Sequence, residues 1–248
     1  MSRALLSINV NKYALVRNSR GRNVPNLLEC ADACIAAGAR GITVHPRRDE
    51  RHIRMADVPV LAQHLRKHHP TIEYNVECEP HDAVLDMVLQ VHPNQCTLVP
   101  VSPGEVTSDH GWDLPNDNAL LAPVLKRLRD ANIRSSIFMD CTPEGMAHAA
   151  EVGTDRVELY TGPYAWGFGT DNEIRETERI FATARAAQAA GVGLNAGHDL
   201  DRFNLVPLQT LPGLREVSIG HAHVCRALEV GTAQSIVELN TALGWPTV

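Results

Sequence analysis

Eight times along this chain, a short segment with apolar residues at every second position precedes one with apolar residues every three to four. Few architectures accept that alternation, because parallel strands must be joined by crossovers that lie on a face of the sheet. The strand-like segments are Leu5–Val10, Gly41–His45, Thr71–Glu77, Cys96–Val101, Ser135–Asp140, Arg156–Tyr160, Gly193–His198 and Glu216–Gly220. The helical pattern covers Leu27–Ala37, closed by Gly38, then Asp57–Leu65, Pro80 to about Val91, and Asn118–Ala131. Thr142-Pro143-Glu144 caps a further run to Glu151, and Asn172–Ala190 ends at Gly191. Arg202–Thr210, Ala222–Glu229 and Ala233–Leu243 complete the set. No long linker or shift in composition interrupts these units, so the pattern predicts one closed parallel (β/α)₈ barrel, a TIM barrel with extra helices, over residues 1–248. A doubly wound open sheet is the alternative, but the first strand lacks the G-x-G-x-x-G turn of a dinucleotide site.

The formal net charge of −6 argues against a general nucleic-acid or membrane surface binder, while leaving room for a local basic pocket. No window approaches the roughly 20 apolar residues of a membrane span, and the opening MSRALLSINVNKYALVRNSR lacks the apolar run of a signal peptide. The six cysteines form no CxxC pair; Cys30 and Cys34 sit four apart among apolar helical positions, as buried thiols do. A reduced, cytoplasmic protein is expected.

In a parallel barrel one face of each strand packs under the helices and must be apolar. That sends Ile8, Val44, Val76 and Val157 outward and leaves Asn9, Asn11, His45, Glu73, Glu77 and Glu158 facing the lumen or its mouth. Charges are costly in a dry interior, so this many inward polar groups point to a wet, functional end. The stretch from Gly41 to Arg54 concentrates the chemistry. A strand ends in His45, and the loop beyond carries Arg47, Arg48, Arg51, Arg54 and His52. Arginine forks suit phosphate or carboxylate, and an imidazole moves protons near neutral pH.

The segments Asn195-Ala196-Gly197-His198-Asp199 and Ser218-Ile219-Gly220-His221-Ala222-His223 place glycines where backbone amides can approach a ligand. The helix after Gly220 would aim its amino terminus at a phosphate. His221-x-His223 resembles part of a metal site, but with twelve histidines in the chain such pairs arise by chance. His64, His68, His69, His81, His92, His110 and His148 fall on helices or loops as surface or packing residues. Of the three lysines only Lys12 sits near a strand end, and no G-x-S-x-G, Walker or H-E-x-x-H motif is present. A non-catalytic phosphate-binding barrel would need the arginines and glycines only. A metal-dependent sugar-phosphate isomerase would be built on the histidines.

The combination resembles the pyridoxine 5′-phosphate synthase family of deoxyxylulose-dependent vitamin B6 biosynthesis. The matching pieces are Asn9 with Arg17-Asn18-Ser19-Arg20-Gly21, Gly41-Ile42-Thr43-Val44-His45 with Arg47 and Arg51-His52-Ile53, and Leu98-Val99-Pro100 with Glu105-Val106-Thr107. Glu158 with Thr161-Gly162, Asn195-Ala196-Gly197-His198 and Ile219-Gly220-His221-Ala222 follow in order over nearly the whole chain. The resemblance implies a barrel assembled into dimers and commonly octamers. It implies condensation of 1-deoxy-D-xylulose 5-phosphate with 3-amino-2-oxopropyl phosphate to pyridoxine 5′-phosphate, phosphate and water, with no metal or organic cofactor. By position, His45 and Glu73 would accept protons, His198 would donate one, and Glu158 would stabilise a cationic transition state. Arg47, His52 and Thr107 would hold the deoxyxylulose phosphate; Asn9, Arg20, Asp199, Gly220 and His221 would hold the amino ketone phosphate. Where many family members carry Asp-His this chain has Asn11-Lys12, so the deoxyxylulose contacts change in charge, with lysine serving a phosphate or hydroxyl. Glu73 fits the spacing from His52 better than Glu77, which stands as the alternative base. The loop Ser102–Asp113 is expected to close over bound substrate.

Overall fold

The computed structural model describes residues 3–102, 104–105 and 107–246. Pro103 and Val106, in the expected lid, lie outside the described residues. The chain begins β1 (Leu5–Asn9), α1 (Asn11–Asn18), α2 (Leu27–Ala36), β2 (Gly41–Val44), α3 (Asp57–His68) and β3 (Glu73–Cys78). It continues through α4 (Asp82–Val91), β4 (Gln95–Leu98), α5 (Asn118–Asp130), β5 (Arg134–Met139), α6 (Gly145–Val152) and β6 (Arg156–Tyr160). Then come α7 (Gly162–Gly167), α8 (Glu173–Ala190), β7 (Gly193–Gly197), α9 (Leu205–Leu208), β8 (Leu214–Ile219), α10 (His221–Val230) and α11 (Thr232–Ala242).

All neighbouring strands are parallel and the sheet closes, β8 pairing with β1 through Leu5–Glu216 to Ile8–Ile219. The fold is therefore the (β/α)₈ barrel that the sequence predicts, and no helix among the described residues is long and apolar enough to cross a membrane. The alternation in sequence becomes two layers. Outward residues such as Ile8, Val44, Val76 and Val157 are fully buried in one continuous apolar cluster beneath the helices. Each such side chain contributes about 1.5–3 kcal/mol of burial.

The inward face is mostly polar, unlike barrels filled with branched aliphatic side chains, with Val99, Phe138 and Tyr160 as a small apolar cluster. Ser7 bonds Thr43 at 2.7 Å, and the Thr97 hydroxyl donates to Asn75 at 3.1 Å. Arg134 donates to Gln95 and pairs with Glu73, while Arg156 donates to Asn195 and lies 3.9 Å from Glu216. Two of these contacts, Arg134 with Glu73 and Arg156 with Glu216, join strands that are not neighbours and so reach across the lumen.

Local details depart from the sequence pattern in three places. Residues 11–18 form α1, whose charged end, with Arg17 and Asn18, reads as loop in the sequence. The buried Arg17 explains it, because a paired contact with Asp57 at 2.8 Å fastens α1 to the start of α3. The short α7, opened by Gly162-Pro163, carries no sequence periodicity at six residues. Thr142 does not cap α6; a turn with Gly145 N–H donating to the Thr142 carbonyl precedes the helix, which starts at Gly145.

Candidate active site

A cavity of about 290 Å³ opens beyond the carboxyl ends of the strands. Its walls carry Asn9 at the end of β1 with Asn11 and Lys12 beyond it, His45, Arg47 and His52 after β2, and Glu77 near the end of β3. Thr107 and Ser108 come from the loop after β4, Glu158 from β6, His198 and Asp199 after β7, and Gly220 and His221 after β8. Position follows from chain direction, since only residues late in a strand or in the loop after it reach this rim.

Two residues expected here are elsewhere. Glu73 opens β3, level with Gly41 at the other end of the barrel, and pairs with Arg134. Glu77, four residues or roughly 13 Å further along the same face, is the carboxyl that reaches the cavity. The choice of Glu73 over Glu77 is thus corrected by register. Arg20 follows the far end of α1, roughly 12 Å along the helix from Lys12, and is exposed without lining the cavity.

The first wall is built on β1 and β2. The Asn11 side-chain oxygen accepts from the His45 backbone N–H at 2.9 Å, which ties α1 to the end of β2. Asn9 donates to both oxygens of Glu77, at 3.4 and 3.3 Å. His45 Nδ1 lies 3.6 Å from Glu77, and its Nε2 is buried without a partner. Burial, helped by the charges of His52 and Arg47, holds the His45 imidazole down at about 3. Burial raises the Glu77 carboxyl, with Glu216 adding to the shift and the Asn9 contact opposing it. Both members of the pair are therefore neutral at pH 7, and their contact is no ion pair. His52 is likewise held at about 4 by burial and by Arg47 and Lys12. The Ile53 N–H donates to its Nδ1, so the neutral ring carries its proton on Nε2.

Arg17 and Asn18, which the sequence offers only as a motif match, hold this loop by donating to the His52 carbonyl at 3.4 and 2.7 Å. Arg47 is buried against Glu105, 3.2 Å away, and Arg51 donates to the Glu105 carbonyl at 3.0 Å. The Thr107 hydroxyl reaches His198 Nε2 at 3.1 Å. The loop after β4 thus touches both sides of the cavity.

The opposite wall is strained. His198 and Asp199 adopt φ of 86° and 57°, two consecutive left-handed residues, a conformation uncommon for any residue but glycine although His and Asp tolerate it better than most. The Thr161 hydroxyl fixes it by donating to the carbonyls of Gly197 and His198. Trp166 on α7 donates to Asp199 at 2.8 Å, and the Tyr160 ring stands edge-on to His198 at 5.1 Å. His198 Nδ1 lies 3.1 Å from Asp199 but off the hydrogen-bond direction. The Asp199 carboxyl is lowered chiefly by this histidine.

Glu158 forms the floor, one oxygen buried without a partner. Burial raises its carboxyl well above the ordinary range, and Glu77 and Glu216 add to that. Gly197 is required beside it, because a side chain there would meet the Glu158 carboxylate. At Gly220 an added Cβ would stand 3.0 Å from the Asn9 carbonyl. Phe138 and Val99 complete the floor, and sequence reasoning missed both. Phe138 shares its strand face with lumenal Ser136, which was the available signal.

The cavity thus gathers four imidazoles, of His45, His52, His198 and His221, and two raised carboxyls, of Glu77 and Glu158, between an arginine-rich side and the amino end of α10. The described residues supply groups for proton transfer and for binding two anions.

Solved structures with this fold include the 3-keto-L-gulonate-6-phosphate decarboxylase of Vibrio cholerae, with a TM-score of 0.66 at 14% identity, covering 99% of this chain and 100% of that one. The YdjI aldolase of Escherichia coli K12 gives 0.64 at 12% identity, covering 98% and 89%. Those likenesses establish the barrel alone. Sequence relatives are much nearer. A protein of Albidiferax ferrireducens named pyridoxine 5′-phosphate synthase is 48% identical, with 93% of this chain and 94% of that protein covered. One of the same name from Mesorhizobium japonicum is 44% identical, covering 98% and 99%. The family described as pyridoxal phosphate biosynthesis protein PdxJ matches residues 6–244. The chain belongs to that PdxJ family.

Proposed function

We propose that the chain has the activity its relatives are named for, pyridoxine 5′-phosphate synthase. It condenses 1-deoxy-D-xylulose 5-phosphate with 3-amino-2-oxopropyl phosphate. The observation that carries this is the meeting of His45, Glu77, Glu158 and His198 around one cavity, between two separate anion-binding walls. Imine formation, dehydration and ring closure all move protons on and off carbon, nitrogen and oxygen, and a pure phosphate-binding barrel would leave that set idle.

Arg47, His52, Lys12 and Thr107 hold one phosphate. His52 points its Nε2–H at it, and the phosphate takes the place of the Glu105 carboxylate on Arg47. Backbone amides at Gly220 and His221, opening the ten-residue α10, hold the other, with Asn9 and Asp199 beside them. Neutral His45, its Nε2 free, accepts a proton from substrate. Glu77, protonated at rest, first gives its proton to one leaving oxygen. As carboxylate it is then the second acceptor, in the role the resemblance gives Glu73, and His198 donates to another leaving oxygen. The protonated Glu158 passes its proton to the substrate, and the carboxylate left behind stabilises the cation so formed, offsetting the burial that otherwise keeps this group neutral. None of these steps calls on a metal or an organic cofactor.

Self-association into dimers, and octamers built from them, belongs to the proposal. Exposed Leu15, Val16 and Val24 flank Arg20 and offer an apolar surface for a second copy. Light scattering measures the assembly. The activity is tested by supplying both phosphorylated substrates and following pyridoxine 5′-phosphate by its absorbance. Absence of product from folded protein overturns the assignment.

A further inference from the structure

Three ligand-type side chains meet on the outer wall of the barrel, away from the cavity. Asp32 lies midway along α2, His64 lies in the second half of α3, and His69 follows the last residue of that helix. The Nε2 atoms of His64 and His69 sit 2.7 and 2.8 Å from the same oxygen, Asp32 Oδ1. The three potential ligand atoms all lie within 4.8 Å of one another. The two rings are inclined at 55°, so they approach this point from different directions. His68 packs its ring 4.8 Å from that of His64 and restricts its rotation. All three are half-buried. The carboxyl end of α3 leads into β3 at Glu73, the rim opposite the cavity, and none of the three lines that cavity.

We propose that Asp32, His64 and His69 form a site for a divalent transition metal of the zinc class, which clamps α2 to α3. Two imidazole nitrogens and a carboxylate suit Zn²⁺ and Co²⁺, and water completes a tetrahedral shell. Zinc bonds of about 2.0–2.2 Å place neighbouring ligand atoms roughly 3.3 Å apart, so each Nε2 retreats from Oδ1 by only about half an ångström. Without metal, each Nε2–H donates to the carboxylate. With metal, each Nε2 gives its lone pair to the ion and the neutral ring carries its proton on Nδ1. No oxidant or reductant is involved. The negative end of the α3 dipole lies beside the site and favours a cation there. The competing account is a metal-free clamp of two imidazoles on one carboxylate, which holds the helices equally well but binds no ion stoichiometrically.

The test titrates chelator-stripped, full-length protein with ZnCl₂ by calorimetry and with CoCl₂ by visible absorbance. One equivalent of Zn²⁺ per chain, a tetrahedral Co²⁺ spectrum and a melting temperature that rises with Zn²⁺ are expected. His64→Gln with His69→Gln, which keeps hydrogen-bonding side chains, should weaken affinity at least about tenfold. Asp32→Asn, of the same shape as the native residue, should do likewise, with circular dichroism reporting the fold of both. Absence of stoichiometric Zn²⁺ binding overturns the proposal. So does binding that survives in both variants but is lost in His52→Gln with His198→Gln, which would move the ion to the cavity. The readout is metal binding and does not depend on the proposed activity.

Discussion

Glu73 and Glu77 show what a sequence pattern carries and what it omits. Period-two alternation puts both on the lumenal face, and that is correct. Height along the barrel is set by register, and register pairs Glu73 with Gly41 but Glu77 with Thr97. Glu77→Gln is therefore expected to keep substrate binding and lose most turnover, by about two to four orders of magnitude for a lost acid-base group. Glu73→Gln should act on stability through Arg134 and leave kcat nearly intact. The reverse ranking in steady-state assays would place the base at the wrong rim. His223 offers a second residue-scale test. It is fully buried between Tyr13 at 2.9 Å and Ser235 at 3.0 Å, and burial holds its imidazole at about 4. The unfolded chain takes up that proton near pH 6.5, before the folded one does. The stability held by neutral His223 is thus complete above pH 6.5 and lost as pH falls toward 4, by up to about 3 kcal/mol. Chemical denaturation from pH 7 to 4 should show a steeper loss in wild type than in His223→Gln; equal slopes would refute it.

At the scale of elements, the eight strands were legible because their outer faces must be apolar. The loops that build the site were less so. Nothing in the spacing of Trp166 or Thr161 signals that α7 and the end of β6 fix His198 and Asp199 in a left-handed turn; those contacts are nonlocal and the residue types ordinary. Arg17 and Asn18 looked like a charged turn because their partners, Asp57 and the His52 carbonyl, lie more than thirty residues away. After β4, Glu105 meets Arg47 on one side of the cavity and Thr107 meets His198 on the other. In the proposed reaction, closure here would exclude water that hydrolyses an imine. Amide exchange in residues 107–111 is expected to slow when a substrate analogue binds, and deleting 103–107 should raise KM for the deoxyxylulose substrate and lower kcat. Unchanged exchange at saturation, or a deletion with intact kinetics, would reduce this loop to a connector.

For the whole molecule, the barrel separates its tasks by end. The rim with Glu73, Arg134, Arg156 and Glu216 is a network of paired charges in which one Glu216 oxygen and Gln95 Nε2 stay unpartnered. The opposite rim leaves His45 Nε2, His198 Nδ1 and a Glu158 oxygen, all beside the cavity, without partners. Unsatisfied buried groups are costly, and they persist where a ligand completes them. The measurement that bears most directly on this account is turnover of the two phosphorylated substrates in excess chelator, by wild type and by Glu77→Gln. The account predicts pyridoxine 5′-phosphate from wild type without added metal and little from the variant. Turnover abolished by chelator and restored by a divalent ion, or an undiminished Glu77→Gln enzyme, would contradict it.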